Sequence, residues 1–382
     1  MKKGMKVLVL TFVFVVFFTN LTFASTLNSY ILKVDYKYVV ENTSGDMLYT
    51  VVEPILPNVM NSDYFIIFDE EGFPSFTKTV TDEKGNRISR FTSSSVTGNK
   101  RIVFQYDYLV KVSEVDYQLQ PDKTKPLTSY DDSFNVYLTP SYHIESNDPF
   151  IKQLATSLLS KLPESQRTNP YYIAKTFYEY VQKTMYYTYD SDFMNKGALF
   201  AAKYHVGNCE DYSSLFVALL RASGVPARTV TGFMIEPDQI NQGIMELVSE
   251  NNYTRHEWAE AYINGYGWVA FEVTISSDDL TSYEVNIDGK PSIIEAYKPL
   301  TSYNGVGFGR LEGLYIKERY DFAEGMDLVS TSTPNANYYQ QYVAQIVDIT
   351  KFSIVPYKSI VKSKAKKPNI ISVPVPMNRL KH

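Results

Sequence analysis

A chain of 382 residues with 44% hydrophobic and 15% aromatic side chains, 18 Gly and 18 Pro has material for two or three packed domains. It shows none of the bias of collagen-like or low-complexity proteins. Its single cysteine, Cys209, excludes an intrachain disulfide, a zinc cluster built on two or four cysteines, and an iron–sulfur centre made from this chain alone. The net charge of -5 conceals two basic ends, residues 1–24 and 358–382, neither of which contains an acid. The body between them stands at about -15, a charge that repels phosphate backbones and argues against a nucleic-acid partner.

In chain order, residues 1–24 read as a secretory signal. A lysine-bearing start precedes the apolar run Val7–Phe18, and Thr22-Phe23-Ala24 supplies small residues at both ends of a cleavage triplet. The expected address is therefore secreted, periplasmic or cell-surface, with an uncleaved N-terminal anchor as the alternative. Residues 25–140 alternate short runs rich in Tyr, Val, Ile, Phe and Thr with turn signals such as Glu83-Lys84-Gly85-Asn86. That pattern predicts an antiparallel β-sandwich acting as scaffold or binding module. Residues 141–300 change texture: Asp148–Leu162 and Pro170–Met185 read as amphipathic helices, followed by another helix and then strands. Residues 301–382 are expected to form a C-terminal extension, with one more helix within Asp321–Asp348 and a basic, proline-bearing tail from Lys358.

The chemistry-bearing stretch is Gly207-Asn208-Cys209-Glu210-Asp211-Tyr212. Asn208 is a good N-cap, and Asp211 stands three residues later, where an acid suits the helix dipole. Tyr212, Leu215, Phe216, Leu219 and Leu220 keep helical spacing, while Gly224 and Pro226 end the helix. Cys209 thus opens a largely buried helix, where free N–H groups and the positive dipole end favour a thiolate and can hold an oxyanion. Glu210 and Asp211 read as capping or solvated residues, and His205 as a surface residue.

A base is sought downstream, where Arg255-His256-Glu257-Trp258 and Gly267-Trp268-Val269-Ala270-Phe271-Glu272 flank a turn containing Asn264-Gly265. An odd loop puts His256 and Glu272 on one face of the hairpin, directly opposed if the loop is Ile263–Gly265. A two-residue Asn264-Gly265 turn instead faces Glu257 towards Glu272. A His-Glu-x-x-His zinc site is absent because Glu260 stands where the second histidine belongs. No metal or cofactor is expected.

Gly-x-Cys-x-Asp-Tyr opening a helix, the Arg-Ala-Ser-Gly-Val-Pro-Ala-Arg exit, the His-x-Trp strand and the Gly-x-Gly-Trp-Val-x-Phe strand together resemble the transglutaminase-like superfamily. The resemblance covers about Asp148–Thr274. It implies a papain-like core of helices packed on an antiparallel sheet, an α+β fold in which the β-rich domain stands ahead, as in exported bacterial members. By position it implies Cys209 as nucleophile, His256 as general base and acid, and Glu272 as the group that orients the imidazole. The matching position usually holds Asp followed by Pro and Thr, where this chain has Glu272-Val273-Thr274. Two readings stay open at this point. One is an exported cysteine enzyme acting on amide bonds through a thioester, as peptidase, amidase or transamidase, on a cell-envelope peptide or protein. The other is a catalytically degenerate envelope protein that binds or supports. A redox sensor lacks a resolving cysteine in this chain.

Overall fold

The computed structural model describes residues 24–351, apart from short segments at 44–49, 53–54, 57–61, 74–77, 93–97, 99, 128–129, 237–238, 241–244, 250–251, 254, 303–304, 322–328 and 332–337. The expected signal segment before Ala24 and the basic tail lie outside the described residues. The fold is α+β: among the described residues there are four α-helices, and the sheets are antiparallel throughout except for one two-residue parallel pairing.

The N-terminal strands, joined by strands from residues 245–351, form a seven-stranded sheet and a five-stranded sheet. In the larger one, Ser25–Asn42 lies between Arg101–Asp116 and Tyr338–Lys351, and Phe65–Phe73 also pairs with Arg101–Asp116. The alternating pattern has its expected effect. Tyr36, Phe104, Tyr106, Tyr108, Val110 and Val112 are buried, period two along each strand. A helix was expected within Asp321–Asp348, but the chain forms the strand Tyr338–Lys351 over the end of that range. Its sequence, rich in Tyr, Val and Ile, suits a pleated strand, and the whole edge of Ser25–Asn42 is available to it, from Tyr30 opposite Lys351 to Asn42 opposite Tyr338. The strands Met245–Ser249 and Asn252–Tyr253, which precede the His256 strand in the chain, extend the same sheet beyond Tyr338–Lys351. The described residues are therefore one compact unit, closed by contacts between its two ends.

Three of the four helices, the first, second and fourth in the chain, fall where periodicity and caps place them. α1 (Pro149–Ser160) starts from the N-cap Asp148, and α2 (Pro170–Thr184) from the N-cap Asn169, each with proline at its first position. α3 (Ala198–Tyr204) ends at His205 in the left-handed conformation. α4 (Cys209–Ala222) is buried at every position from Glu210 to Arg221, so it is a central helix rather than an amphipathic one. It packs on a four-stranded sheet in the order Gly267–Phe271, Arg255–Ile263, Ala227–Ile235, Leu314–Tyr320. A further sheet pairs the hairpin Leu280–Ile287/Lys290–Tyr297, turned by Asp288-Gly289 with both residues at positive φ, with the short strands Tyr186–Tyr187 and Val206–Gly207. Such an Asp-Gly pair is a strong hairpin signal, although the sequence pattern weakens after Asp279.

Candidate active site

Cys209 is the first residue of α4 and is half-buried. The side chain of Asn208 accepts hydrogen bonds from the N–H groups of Glu210 (3.1 Å) and Asp211 (3.4 Å), and the Asp211 carboxylate accepts from the Asn208 N–H at 3.0 Å. This reciprocal cap fixes where the helix starts. The Asp211 carboxylate also accepts the N–H groups of Asn195, Lys196 and Gly197 at 2.7–2.8 Å, and so ties the loop before α3 to the head of α4. Burial pushes the Asp211 carboxyl up to about 6, against those N–H donors, which favour its charged form. Gly207 is required here because a Cβ on it would lie 2.3 Å from Asp211 Cβ.

Glu210 departs from expectation. It is not solvated but buried, and its Oε1 lies 2.7 Å from His143 Nδ1. Burial works against charge on the His143 ring, but the hydrogen bond and charge of Glu210 outweigh it and raise its pKa. His205 is likewise half-buried at the end of α3, where burial lowers its pKa.

The hairpin that carries His256 has the odd loop. Ile263 pairs with Gly267 and Ala259 with Phe271, leaving the three residues Asn264–Tyr266 as the turn. His256 and Glu272 therefore share a face, but they are not directly opposed. Continuing the register puts Trp258 in line with Glu272, one step beyond the last pair, with His256 two residues farther along the strand. Such diagonal neighbours are ~7–8 Å apart at the backbone, within reach of a long side chain. The extra methylene of glutamate spans that offset: His256 Nε2 donates to Glu272 Oε2 at 2.7 Å. Cys209 acts on the same imidazole through a side-chain hydrogen bond and through its charge. The sequence-predicted Cys209, His256 and Glu272 are thus brought together in that order.

Burial alone would favour the neutral ring. The charge of Glu272 and the hydrogen bonds the ring makes to Cys209 and Glu272 outweigh it and hold the His256 imidazole protonated well above the ordinary histidine range. The side chain of the neighbouring Glu257 faces away, as alternation along the strand requires. Burial drives its pKa well up, the charges of Glu210 and Cys209 add to the effect, and its Oε2 accepts from Thr231 at 2.9 Å.

Glu272 is itself secured on all sides. Its Oε2 also accepts from the Tyr315 hydroxyl (2.6 Å), and its Oε1 accepts the Thr274 N–H (2.8 Å). Its own N–H donates to Gly307 O at 3.1 Å, and its carbonyl accepts from the Tyr178 hydroxyl at 2.7 Å. Gly307 stands at φ +79°, where a Cβ would meet Tyr178 Oη at 2.3 Å and Glu272 O at 2.5 Å. Behind the imidazole, the Trp258 indole lies nearly parallel to the His256 ring (centroids 6.3 Å, 17°) and edge-on to Tyr315 (5.1 Å, 77°). Tyr315, Tyr178 and Gly307 were not anticipated. They come from distant segments, and no local pattern links them to Glu272.

Among the described residues, no three His, Cys, Asp or Glu side chains are grouped to hold a metal, and no helix is long and apolar enough to cross a membrane.

Residues 160–273 match the family description "Transglutaminase-like superfamily". The Bacillus subtilis protein YebA, itself uncharacterized, is 38% identical over 89 residues, which are 22% of this chain and 11% of YebA. An uncharacterized Haemophilus influenzae protein is 28% identical over 147 residues, 35% of this chain and 38% of that protein. The chain thus spans well under half the length of both curated relatives. A crystal structure described as a candidate cysteine protease from Cytophaga hutchinsonii superposes with a TM-score of 0.51 at 17% identity, covering 86% of this chain and 93% of the other, a likeness of fold. Residues 160–273, which hold α4 and the Cys209–His256–Glu272 cluster, are therefore the part of the chain that matches the transglutaminase-like superfamily.

Proposed function

We propose that the protein is an exported cysteine enzyme that acts on amide bonds through a thioester on Cys209. The observation that carries this reading is the 2.7 Å contact between His256 and Glu272, on an imidazole that Cys209 also hydrogen-bonds. In the resting pair the imidazolium supports a cysteine thiolate. The sulfur attacks the amide carbon and the carbonyl π electrons move to oxygen. The cap uses the N–H groups of Glu210 and Asp211 and leaves that of Cys209 as a donor to this oxyanion. As the tetrahedral species collapses, the C–N bond breaks and His256 gives its proton to the leaving amine. The thioester then passes its acyl group to water, or to a second amine, with His256 taking the proton of the attacking group. Glu272 keeps the ring in one orientation through both halves.

Water as acceptor makes the protein a peptidase or amidase, and an amine makes it a transamidase. Export rests on the features of residues 1–24, and a cell-envelope peptide or protein is the substrate class that such an address supports. The alternative of a degenerate binding or structural protein drew on glutamate standing in the usual aspartate position. It drew as well on the absence of substrate-class motifs and on the size of the β-rich region; the His256–Glu272 contact favours the enzyme reading.

The test is incubation of the protein and of its Cys209→Ala variant with a peptide library, followed by mass spectrometry. New termini, or amine adducts when a primary amine is added, are expected from the parent and not from the variant. Turnover that survives Cys209→Ala would overturn the reading.

A further inference from the structure

We infer that Tyr64, which immediately precedes the strand Phe65–Phe73 of the N-terminal β region, is a positioning residue for the His256 imidazole and acts through Trp258. The inference rests on the cysteine-enzyme reading and extends it: the transglutaminase-like core would not orient its own histidine unaided.

Trp258 is fully buried and its side chain has one polar atom. A buried indole N–H needs an acceptor, and the acceptor fixes the ring's rotation. Trp258 Nε1 donates to Tyr64 Oη at 2.9 Å, and Tyr64 is itself only 1% exposed. The Tyr64 hydroxyl in turn donates to Glu260 Oε1 at 2.5 Å, so its hydrogen points to the carboxylate and its lone pairs to the indole. Glu260 is anchored by Arg228 (2.6 Å) and Lys317 (2.5 Å), both buried. The far edge of the indole rests on Gly232, where even a Cβ would come within 3.1 Å of Trp258 Cη2. The indole therefore cannot slide away from His256 while its N–H bond holds. It backs two rings at once: His256, in near-parallel contact, and Tyr315, which donates to the same Glu272 oxygen as His256. A tilt of Trp258 would move both donors to Glu272 Oε2. Tyr64 lies 194 residues from Trp258 in the chain and outside the segment 160–273 that matches the superfamily.

The chain has one cysteine, so alkylation by iodoacetamide reports on Cys209 alone and needs no substrate. The rate is measured from pH 5 to pH 9 for the parent, Tyr64→Phe, Trp258→Phe and the double variant. Tyr283→Phe, whose hydroxyl donates to Tyr204 O away from the site, serves as control. Each protein's denaturation midpoint is measured alongside. Tyr64→Phe keeps the ring beneath Lys317 Nζ (4.3 Å) while removing the acceptor.

Labelling of the parent is expected to stay fast below pH 7, where an ordinary thiol, half-ionised near pH ~8.5, reacts slowly. Tyr64→Phe is expected to lose about 5- to 10-fold of the rate at pH 6 and little at pH 9, because the thiolate–imidazolium pair is loosened while the free thiolate is not. Trp258→Phe should show the same loss and carries the test alone if Tyr64→Phe does not fold. In the Trp258→Phe background, Tyr64→Phe should add nothing. A Tyr64→Phe profile that superimposes on the parent's would overturn the positioning role and leave the cysteine-enzyme reading intact. So would a further shift in the double variant. A parent that labels like an ordinary thiol would overturn the cysteine-enzyme reading itself.

Discussion

Replacing Glu272 by glutamine removes one charge and keeps the shape, and the structure shows why the amide cannot substitute. The carboxylate accepts from three donors: His256 Nε2, the Tyr315 hydroxyl and the Thr274 N–H. A glutamine side chain has one acceptor oxygen. If that oxygen takes His256, its NH2 group faces the Thr274 N–H, and if it takes Thr274, the NH2 faces the imidazole. The side chains of His256 and Glu272 are each only 12% exposed, so solvent screens the pair weakly. A hydrogen bond to a charged group contributes about 1.5–3 kcal/mol net. At 1.36 kcal/mol per tenfold, loss of this bond should weaken proton binding by the His256 ring about 10- to 100-fold. Histidine-selective NMR titration measures this directly. The chain has four histidines, and the His256 signal is the one missing from His256→Ala. The His256 midpoint should fall in Glu272→Gln, and the alkaline limb of any activity profile should fall with it. An unchanged or higher midpoint would refute the claim that Glu272 holds this ring charged. The sign for stability follows from the same shift. A histidine whose folded pKa is raised stabilises the fold fully below about pH 6.5, its unfolded value, and loses that contribution as the pH climbs through the folded value.

The buried cluster around Glu260 makes two further expectations testable by denaturant unfolding. Glu260→Gln leaves Lys317 and Arg228, both buried, without their shared counter-charge, and should cost ~3–5 kcal/mol. Lys317→Met leaves Glu260 paired with Arg228 and should cost less; the reverse order would refute this account of the cluster. Burial of Glu260 works towards a higher pKa, but the charges of Lys317 and Arg228 pull its carboxyl down to about 2 from 4.5. Its contribution is therefore complete above pH 4.5 and lost as the pH falls through 2, a total of about 3 kcal/mol. Stability measured between pH 5 and pH 3 should fall less steeply in Glu260→Gln than in the parent, and equal slopes would contradict the assignment.

Much of the reactive helix is legible in the linear chain because its determinants are local. Asn208 and Asp211 cap within one turn, the apolar spacing from Tyr212 to Leu220 needs only a 3.6-residue repeat, and Gly224 ends the helix through its own backbone freedom. The pairing of Tyr338–Lys351 with Ser25–Asn42 is not legible, because a strand's partner is set by which edge is open in the folded chain and not by its own residues. Glu210 was misread for a related reason: a charged residue in the first turn of a helix is normally solvated, and only the approach of His143 from 67 residues away makes its burial tolerable.

The hairpin separates the two kinds of information most clearly. By itself the sequence determined that Cys209 heads a capped helix and that His256 and Glu272 sit on either side of one turn. It also determined that one residue of loop length decides whether they share a face, because side chains alternate along a strand. Tertiary structure alone decided that the loop is Asn264–Tyr266 and that Glu272 stands two residues short of opposing His256. It also decided that Tyr315 and Trp258 flank the pair and that Tyr64, from a third segment, holds Trp258. Capping and periodicity act over a few residues, whereas the contacts that orient an imidazole are made across the core, between positions whose distance apart in the chain carries no signal.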